Sequence, residues 1–168
     1  EVRVFDLSKD TTAYLKKENI CSNISTDIRH CVKDSDLIII ATPLSSYKEI
    51  ILSIKDVLKK GTILTDTGSV KKEIMKIIYN INLKDINWIP SHPIAGTEES
   101  GPKAGFAELF ENRWCILSAS KNSIKDDIVK IRNFWEQLGS KVKLMSFEEH
   151  DHILSITSHL PHAVAYSI

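Results

Sequence analysis

The sequence predicts an α/β fold, a doubly wound and mostly parallel sheet covered by helices on both faces, from three observations. Short runs rich in β-branched residues alternate with amphipathic stretches of helical period, the habit of parallel strands joined by helices. The run Leu37-Ile38-Ile39-Ile40-Ala41 is apolar at consecutive positions, as a strand must be when helices lie on both its sides. Small and polar residues gather just after the strand-like runs, where an open parallel sheet binds its ligands.

The elements follow in order. Val2 to Phe5 is the first strand, and Ser8 is the N-cap of a helix running to about Asn19. After the apolar strand, Tyr47, Ile50, Ile51, Ile54, Val57 and Leu58 form one helical stripe, which Gly61 ends. Thr62 to Thr65 is a further strand, and Val70, Ile74, Ile77 and Ile78 mark the next helix. Asn87 to Pro90 forms a strand leading into a loop that carries His92. From Glu98 to Asn112 periodicity is weak, which predicts a lid or a loop with one short helix around Ala104 to Leu109. Trp114 to Leu117 and Lys141 to Leu144 are strands flanking a helix with Ile124, Ile128, Ile131, Trp135 and Leu138, and Gly139 stops that helix. From Ser146 onward the pattern is one long helix, so the chain divides into a sheet domain over 1–145 and the start of a helical unit over 146–168.

Composition narrows the partners. Lys plus Arg and Asp plus Glu both total 22, so no excess charge steers the chain toward nucleic acid or an anionic membrane, and a small molecule is the expected ligand. The three cysteines, Cys21, Cys31 and Cys115, are odd in number and scattered, which fits buried filler in a reducing, cytoplasmic setting better than a disulfide framework. The longest apolar run is too short to span a bilayer.

Four polar clusters fall at strand ends: Asp6 after the first strand, Thr42 and Pro43 after the second, Asp66 to Ser69 after the third, Ser91 and His92 after the fourth. Asp6 stands where a dinucleotide fold places an acid on the adenosine ribose, and a carboxylate there repels a ribose phosphate, favouring NAD over NADP. Gly68 and Ser69 lie between a strand and a helix N-terminus, where a hydroxyl and backbone amides can meet a polar ligand, although Ser69 also suits an N-cap. Lys71 and Lys72 look like solvated first-turn residues. In the terminal helix, Asp151, Ser155, His159 and His162 are spaced four, four and three apart and share one face. Pro161 should free the carbonyl of Thr157 and bend that helix. No G-x-G-x-x-G occurs, since the six glycines are isolated.

Three motifs, Thr65-Asp66-Thr67-Gly68-Ser69-Val70-Lys71, Ser91-His92-Pro93-Ile94-Ala95-Gly96-Thr97-Glu98 and Ser158-His159-Leu160-Pro161-His162, occur in an order and at separations that resemble the prephenate dehydrogenase family, cyclohexadienyl and arogenate dehydrogenases included. The resemblance covers nearly the whole chain. It implies a Rossmann-like domain followed by an all-helical domain that makes a homodimer, with NAD as cofactor and prephenate or arogenate as substrate in tyrosine biosynthesis. It implies catalysis by His92 assisted by Ser69, substrate contacts from Thr97, Glu98, His159 and His162 with support from Asp151, and cofactor contacts from Asp6, Thr42, Pro43, Asp66, Gly68 and Ser69. The family's glycine-rich loop would precede Glu1. A neutral imidazole, with an ordinary pKa near ~6.5, suits a group that accepts the substrate's ring hydroxyl proton.

Two other classes compete. A Rossmann-like module that binds without turnover is consistent with the absent glycine loop, while the joint presence of Ser69, His92 and His162 speaks against it. A metal hydrolase built on His150, Asp151, His152, His159 and His162 is disfavoured, because adjacent-but-one helical residues stand about 200° apart and no H-E-x-x-H or cysteine pair occurs. No metal is expected.

Overall fold

The computed structural model describes all residues except 82, 84, 85, 97, 98, 121, 122, 166 and 168, with the side chains of 159, 162 and 163 also left undescribed. The chain runs β1 (Arg3–Phe5), α1 (Lys9–Lys17), β2 (Asn23–Ser25), α2 (Ile28–Val32), β3 (Leu37–Ile40), α3 (Tyr47–Ile54), β4 (Ile63–Asp66) and α4 (Lys72–Ile81). It continues through β5 (Asn87–Trp88), β6 (Ser91–Pro93), β7 (Trp114–Ser118), α5 (Lys125–Gln137), β8 (Lys141–Met145), α6 (Phe147–Leu154), a π-helical turn (Ser155–His159) and α7 (Leu160–Ala165).

Pairing is parallel between β1 and β2, across β3-β4-β5, and between β7 and β8; only β6 against β7 is antiparallel among the described strands. The segment from Asn87 to Ile94 joins the two larger sheets. Its first half pairs with β4, with Ile89 N–H donating to the Leu64 carbonyl (2.9 Å), and its second half pairs with β7, with Ile94 N–H donating to the Trp114 carbonyl (2.7 Å). His92 therefore sits in a short strand opposite Ile116, not in the loop the sequence predicts, because Pro93 holds the backbone extended and β7 supplies the ladder.

The sheet is covered on both faces. Successive strand residues point to opposite sides, and β4 shows it: Leu64 belongs to a cluster with Ile40, Tyr47, Ile51, Ile74 and Trp88, while Ile63 belongs to one with Ile89, Cys115, Leu117, Ile131 and Trp135. Helices α3 and α4 supply the first layer and α5 the second. Each fully buried isoleucine in these layers, such as Ile51, stabilises the fold by about 1.5–3 kcal/mol.

Ser8 caps α1 by accepting from Thr11 N–H (3.1 Å). The elements β2 and α2 are absent from the sequence reading, being only three and five residues long. Gly61 does not cap α3, which ends at Ile54; a 3₁₀ turn over Lys55–Val57 follows, and Gly61, with φ of +83°, serves the turn into β4. Between Glu98 and Asn112 the described helical piece is a single 3₁₀ turn at Pro102–Ala104, earlier than expected. The long terminal helix is interrupted. Pro161 falls in the first turn of α7, where its missing N–H is harmless, and the turn before it widens to π spacing, Leu160 N–H reaching the Ser155 carbonyl. No helix among the described residues is long and apolar enough to cross a membrane.

Candidate active site

Asp66 ends β4 fully buried, and the loop after it folds back over its carboxylate. Oδ2 accepts from Lys71 Nζ (2.6 Å) and Gly68 N–H (2.9 Å), while Oδ1 accepts from Ser91 N–H (3.2 Å) and the Trp88 indole (3.4 Å). Lys71 also donates through Nζ to the Ser91 carbonyl (2.5 Å). Neither charged side chain has any exposure, so Lys71 is not the solvated residue its place beside Lys72 suggests. Burial pushes the lysine's pKa below its ordinary value, and the Asp66 charge opposes that shift. This pair clamps the 66–71 loop to the strand that carries His92. Asp66, expected at a cofactor, is engaged entirely within the chain through both oxygens; Gly68 presents its amide to Asp66. A Cβ at Gly68 would stand 2.9 Å from Ile74 Cδ1, 3.1 Å from Asp66 Oδ2 and 3.2 Å from the Tyr47 hydroxyl.

Ser91 anchors the other side of the same strand. Its Oγ lies 2.6 Å from Thr65 Oγ1 and accepts from the Trp135 indole (3.1 Å). With Ser91 and Pro93 buried, the intervening His92 projects partly exposed from the opposite face of β6.

His92 Nδ1 lies 2.9 Å from Nε2 of His150, with the rings edge to face at a centroid distance of 5.1 Å. His150 is fully buried, and its Nδ1 lies 2.7 Å from Asp151 Oδ1. Asp151 also accepts the Lys71 backbone N–H at Oδ1 (2.8 Å) and the Lys72 backbone N–H at Oδ2 (3.0 Å). Burial would raise its pKa, but the two amides and His150 outweigh burial and hold it below the ordinary carboxylate value. The amides that open α4, expected to meet a ligand, are thus taken by a carboxylate of the chain's own α6, and Ser69 lies in the loop ahead of α4 instead of capping it.

The remaining expected residues lie as follows. Asp6, Thr42, Pro43 and Ser69 are exposed, each just beyond the C-terminal end of its strand; Asp6 accepts from Ser8 N–H (2.7 Å), and Thr42 Oγ1 accepts from the Ser46 hydroxyl (2.9 Å). Thr97 and Glu98 fall outside the described residues, as do the side chains of His159 and His162. Burial pushes the Cys115 thiol up to about 12 and raises Cys31 as well, which leaves both as inert core residues.

Sequence reasoning missed two site residues, Lys71 and His150. A signal for His150 existed, since it stands four residues before Leu154 on the buried stripe of α6. None existed for Lys71, whose burial depends on a carboxylate held in place by β5 and β6.

Two layers of helix around a mainly parallel sheet, with polar residues beyond the strand ends, define a Rossmann-like α/β domain. Residues 1–144 match the family described as prephenate dehydrogenase, nucleotide-binding domain, and the chain belongs to this family. Cyclohexadienyl dehydrogenase of Zymomonas mobilis is 38% identical over 167 residues, covering 99% of this chain and 57% of that protein. Prephenate dehydrogenase of Bacillus subtilis is 27% identical over 167 residues, covering 97% of this chain and 44% of that protein. Among solved structures, prephenate dehydrogenase from A. aeolicus in complex with hydroxyphenyl propionate and NAD+ superposes with a TM-score of 0.87 at 29% identity, covering 97% of this chain and 57% of that one. The chain spans about half the length of the curated relatives it matches.

Proposed function

We propose that the protein to which this chain belongs is an NAD-dependent dehydrogenase of tyrosine biosynthesis that oxidises prephenate, or its amino counterpart arogenate, with loss of the ring carboxylate as CO2. The observation that carries this reading is His92: a partly exposed imidazole in the middle of β6, with Nδ1 2.9 Å from Nε2 of the buried His150. In this reading His92 accepts the proton of the substrate's ring hydroxyl, and Ser69 on the neighbouring loop assists His92 beside the nicotinamide. Thr97, Glu98, His159 and His162 line the substrate, and residues 146–168 begin a helical unit that pairs two copies.

The exposed polar residues fit a dinucleotide. Among the described residues Asp6 accepts one hydrogen bond, from Ser8 N–H, and its exposed carboxylate keeps acceptor capacity, the chemistry that two ribose hydroxyls require. Thr42, Pro43 and Ser69 would border the remainder, with Asp66 and Gly68 shaping the loop beneath. A nicotinamide bound there would supply the hydride acceptor, and aromatisation of the ring would make the reaction effectively irreversible.

The test is to supply the whole protein with NAD and either prephenate or arogenate and follow NADH absorbance together with CO2 release. Stoichiometric formation of both with at least one substrate is expected, and neither product with either substrate would overturn the reading. The same assay checks Asp6: kcat/KM with NAD should exceed that with NADP, and Asp6→Ser should narrow the ratio. A wild-type preference for NADP would reduce Asp6 to a turn residue.

A further inference from the structure

We infer that Lys71 is a positioning residue for His92: with Asp66 it stands in for the strand edge that β4 no longer offers, and its ammonium on the Ser91 carbonyl sets the peptide plane from which His92 departs. This role in turnover rests on the proposed dehydrogenase reading; the hold on Ser91 does not.

Segment 87–94 leaves β4 for β7 at Pro90. Its ladder on β4 carries Ile89 N–H to the Leu64 carbonyl (2.9 Å), and Pro90 has no N–H with which to continue. Side chains then take over. The Thr65 hydroxyl donates to the Ile89 carbonyl (2.7 Å), Asp66 Oδ1 accepts the Ser91 N–H (3.2 Å), and Lys71 Nζ donates to the Ser91 carbonyl (2.5 Å). On the other side β7 has begun to supply the ladder, with Ser118 N–H on the Pro90 carbonyl (2.9 Å). Asp66 and Lys71 thus give Ser91 one acceptor and one donor, as a neighbouring strand does in a parallel ladder. Thr65, Asp66, Lys71 and Ser91 are all fully buried, and a carbonyl at that depth needs its donor.

The Ser91 carbonyl and the His92 amide nitrogen share one planar peptide unit. A donor fixed on that oxygen therefore fixes the plane, and with it the direction in which the next side chain leaves β6. Lys71 also reaches the helix that His92 meets. Its backbone N–H donates to Asp151 (2.8 Å) on α6, the helix whose His150 Nε2 lies 2.9 Å from His92 Nδ1. One residue thus sets both the peptide unit leading into His92 and the helix that carries its ring contact, and Asp66 supplies the counter-charge that lets the ammonium stay buried.

Stability and position are separable here. Lys71→Met strips Asp66 of its counter-charge and Ser91 of its donor together; adding Asp66→Asn removes the stranded charge but leaves no donor at the place of Nζ. In the whole protein, kcat should fall about 10- to 100-fold in both variants with the KM values for NAD and substrate nearly unchanged, while the urea midpoint drops in the first and recovers in part in the second. Recovery of kcat along with the midpoint would overturn the inference, since a purely structural role moves the two together; wild-type kcat in either variant would do the same. Labelling with carbonyl-13C serine and 15N histidine isolates the Ser91–His92 peptide group, assigned by its loss in His92→Asn. Its carbonyl signal should move upfield in both variants as the donor is lost, and an unmoved signal overturns the hold on Ser91. The double variant carries no unpaired buried charge, and it decides alone should Lys71→Met not fold. If the wild type turns over neither substrate, the dehydrogenase reading fails while the carbonyl signal still judges what Lys71 does to Ser91.

Discussion

In the whole protein, His92→Asn is expected to lower kcat by about 10²- to 10⁴-fold while leaving the fold intact. The fold should survive for three local reasons. His92 is only partly buried; the backbone pairing of β6 with β7 does not use its side chain; and the Asn amide, which can both donate and accept, can keep a hydrogen bond to His150 Nε2 in place of Nδ1. What asparagine cannot do is accept and hold a proton at neutral pH. The loss should therefore appear in kcat more than in KM for either ligand. Steady-state kinetics beside circular dichroism of the purified variant measures both halves, and wild-type-like turnover would remove His92 from the chemistry.

The largest expected effect on stability comes from Lys71→Met. Methionine matches the stem of lysine but leaves the Asp66 carboxylate buried with no counter-charge, a change that destabilises by about 3–5 kcal/mol in comparable sites. Asp66 would retain the Gly68, Ser91 and Trp88 donors, so the loss should be partial, not complete unfolding. Adding Asp66→Asn to Lys71→Met removes the orphaned charge and should recover part of the loss, the non-additivity expected of residues in contact. Urea unfolding of the three variants measures this. An unchanged midpoint for Lys71→Met would mean that Asp66 is neutralised without cost and that the ion pair does not hold the loop.

The comparison of sequence with structure separates two kinds of information. The layers were legible because they are written in local pattern: the consecutive apolar run Leu37 to Ala41, the stripe of Ile74, Ile77 and Ile78, the serine ahead of α1. The exposed residues at strand ends were legible for a related reason, since a parallel sheet concentrates polar groups there. What could not be read was pairing across distance. The Lys71–Asp66 contact looks local, but its burial depends on Trp88 and Ser91, and the His92–His150 contact joins residues separated by 58 positions. The short antiparallel strand β6 was hidden similarly: three residues carry almost no period, and only the ladder to β7 makes them a strand. The π turn before Pro161 belongs with these, because a proline announces a disturbed helix without saying whether it bends or widens.

Gly68 has a consequence for how this site can change over evolutionary time. Its backbone is not in the left-handed region, so any residue could adopt its conformation; what excludes a side chain is the methyl end of Ile74 together with the Asp66 carboxylate and the Tyr47 hydroxyl. Alanine at position 68 would press hardest on Ile74 Cδ1, at 2.9 Å, the one atom that an Ile74→Val exchange deletes. The loop position and the helix position are therefore linked in sequence space: a shorter residue at 74 relieves the tightest contact, while the Asp66 and Tyr47 oxygens, at 3.1 and 3.2 Å, must still give by a few tenths of an ångström before position 68 can change.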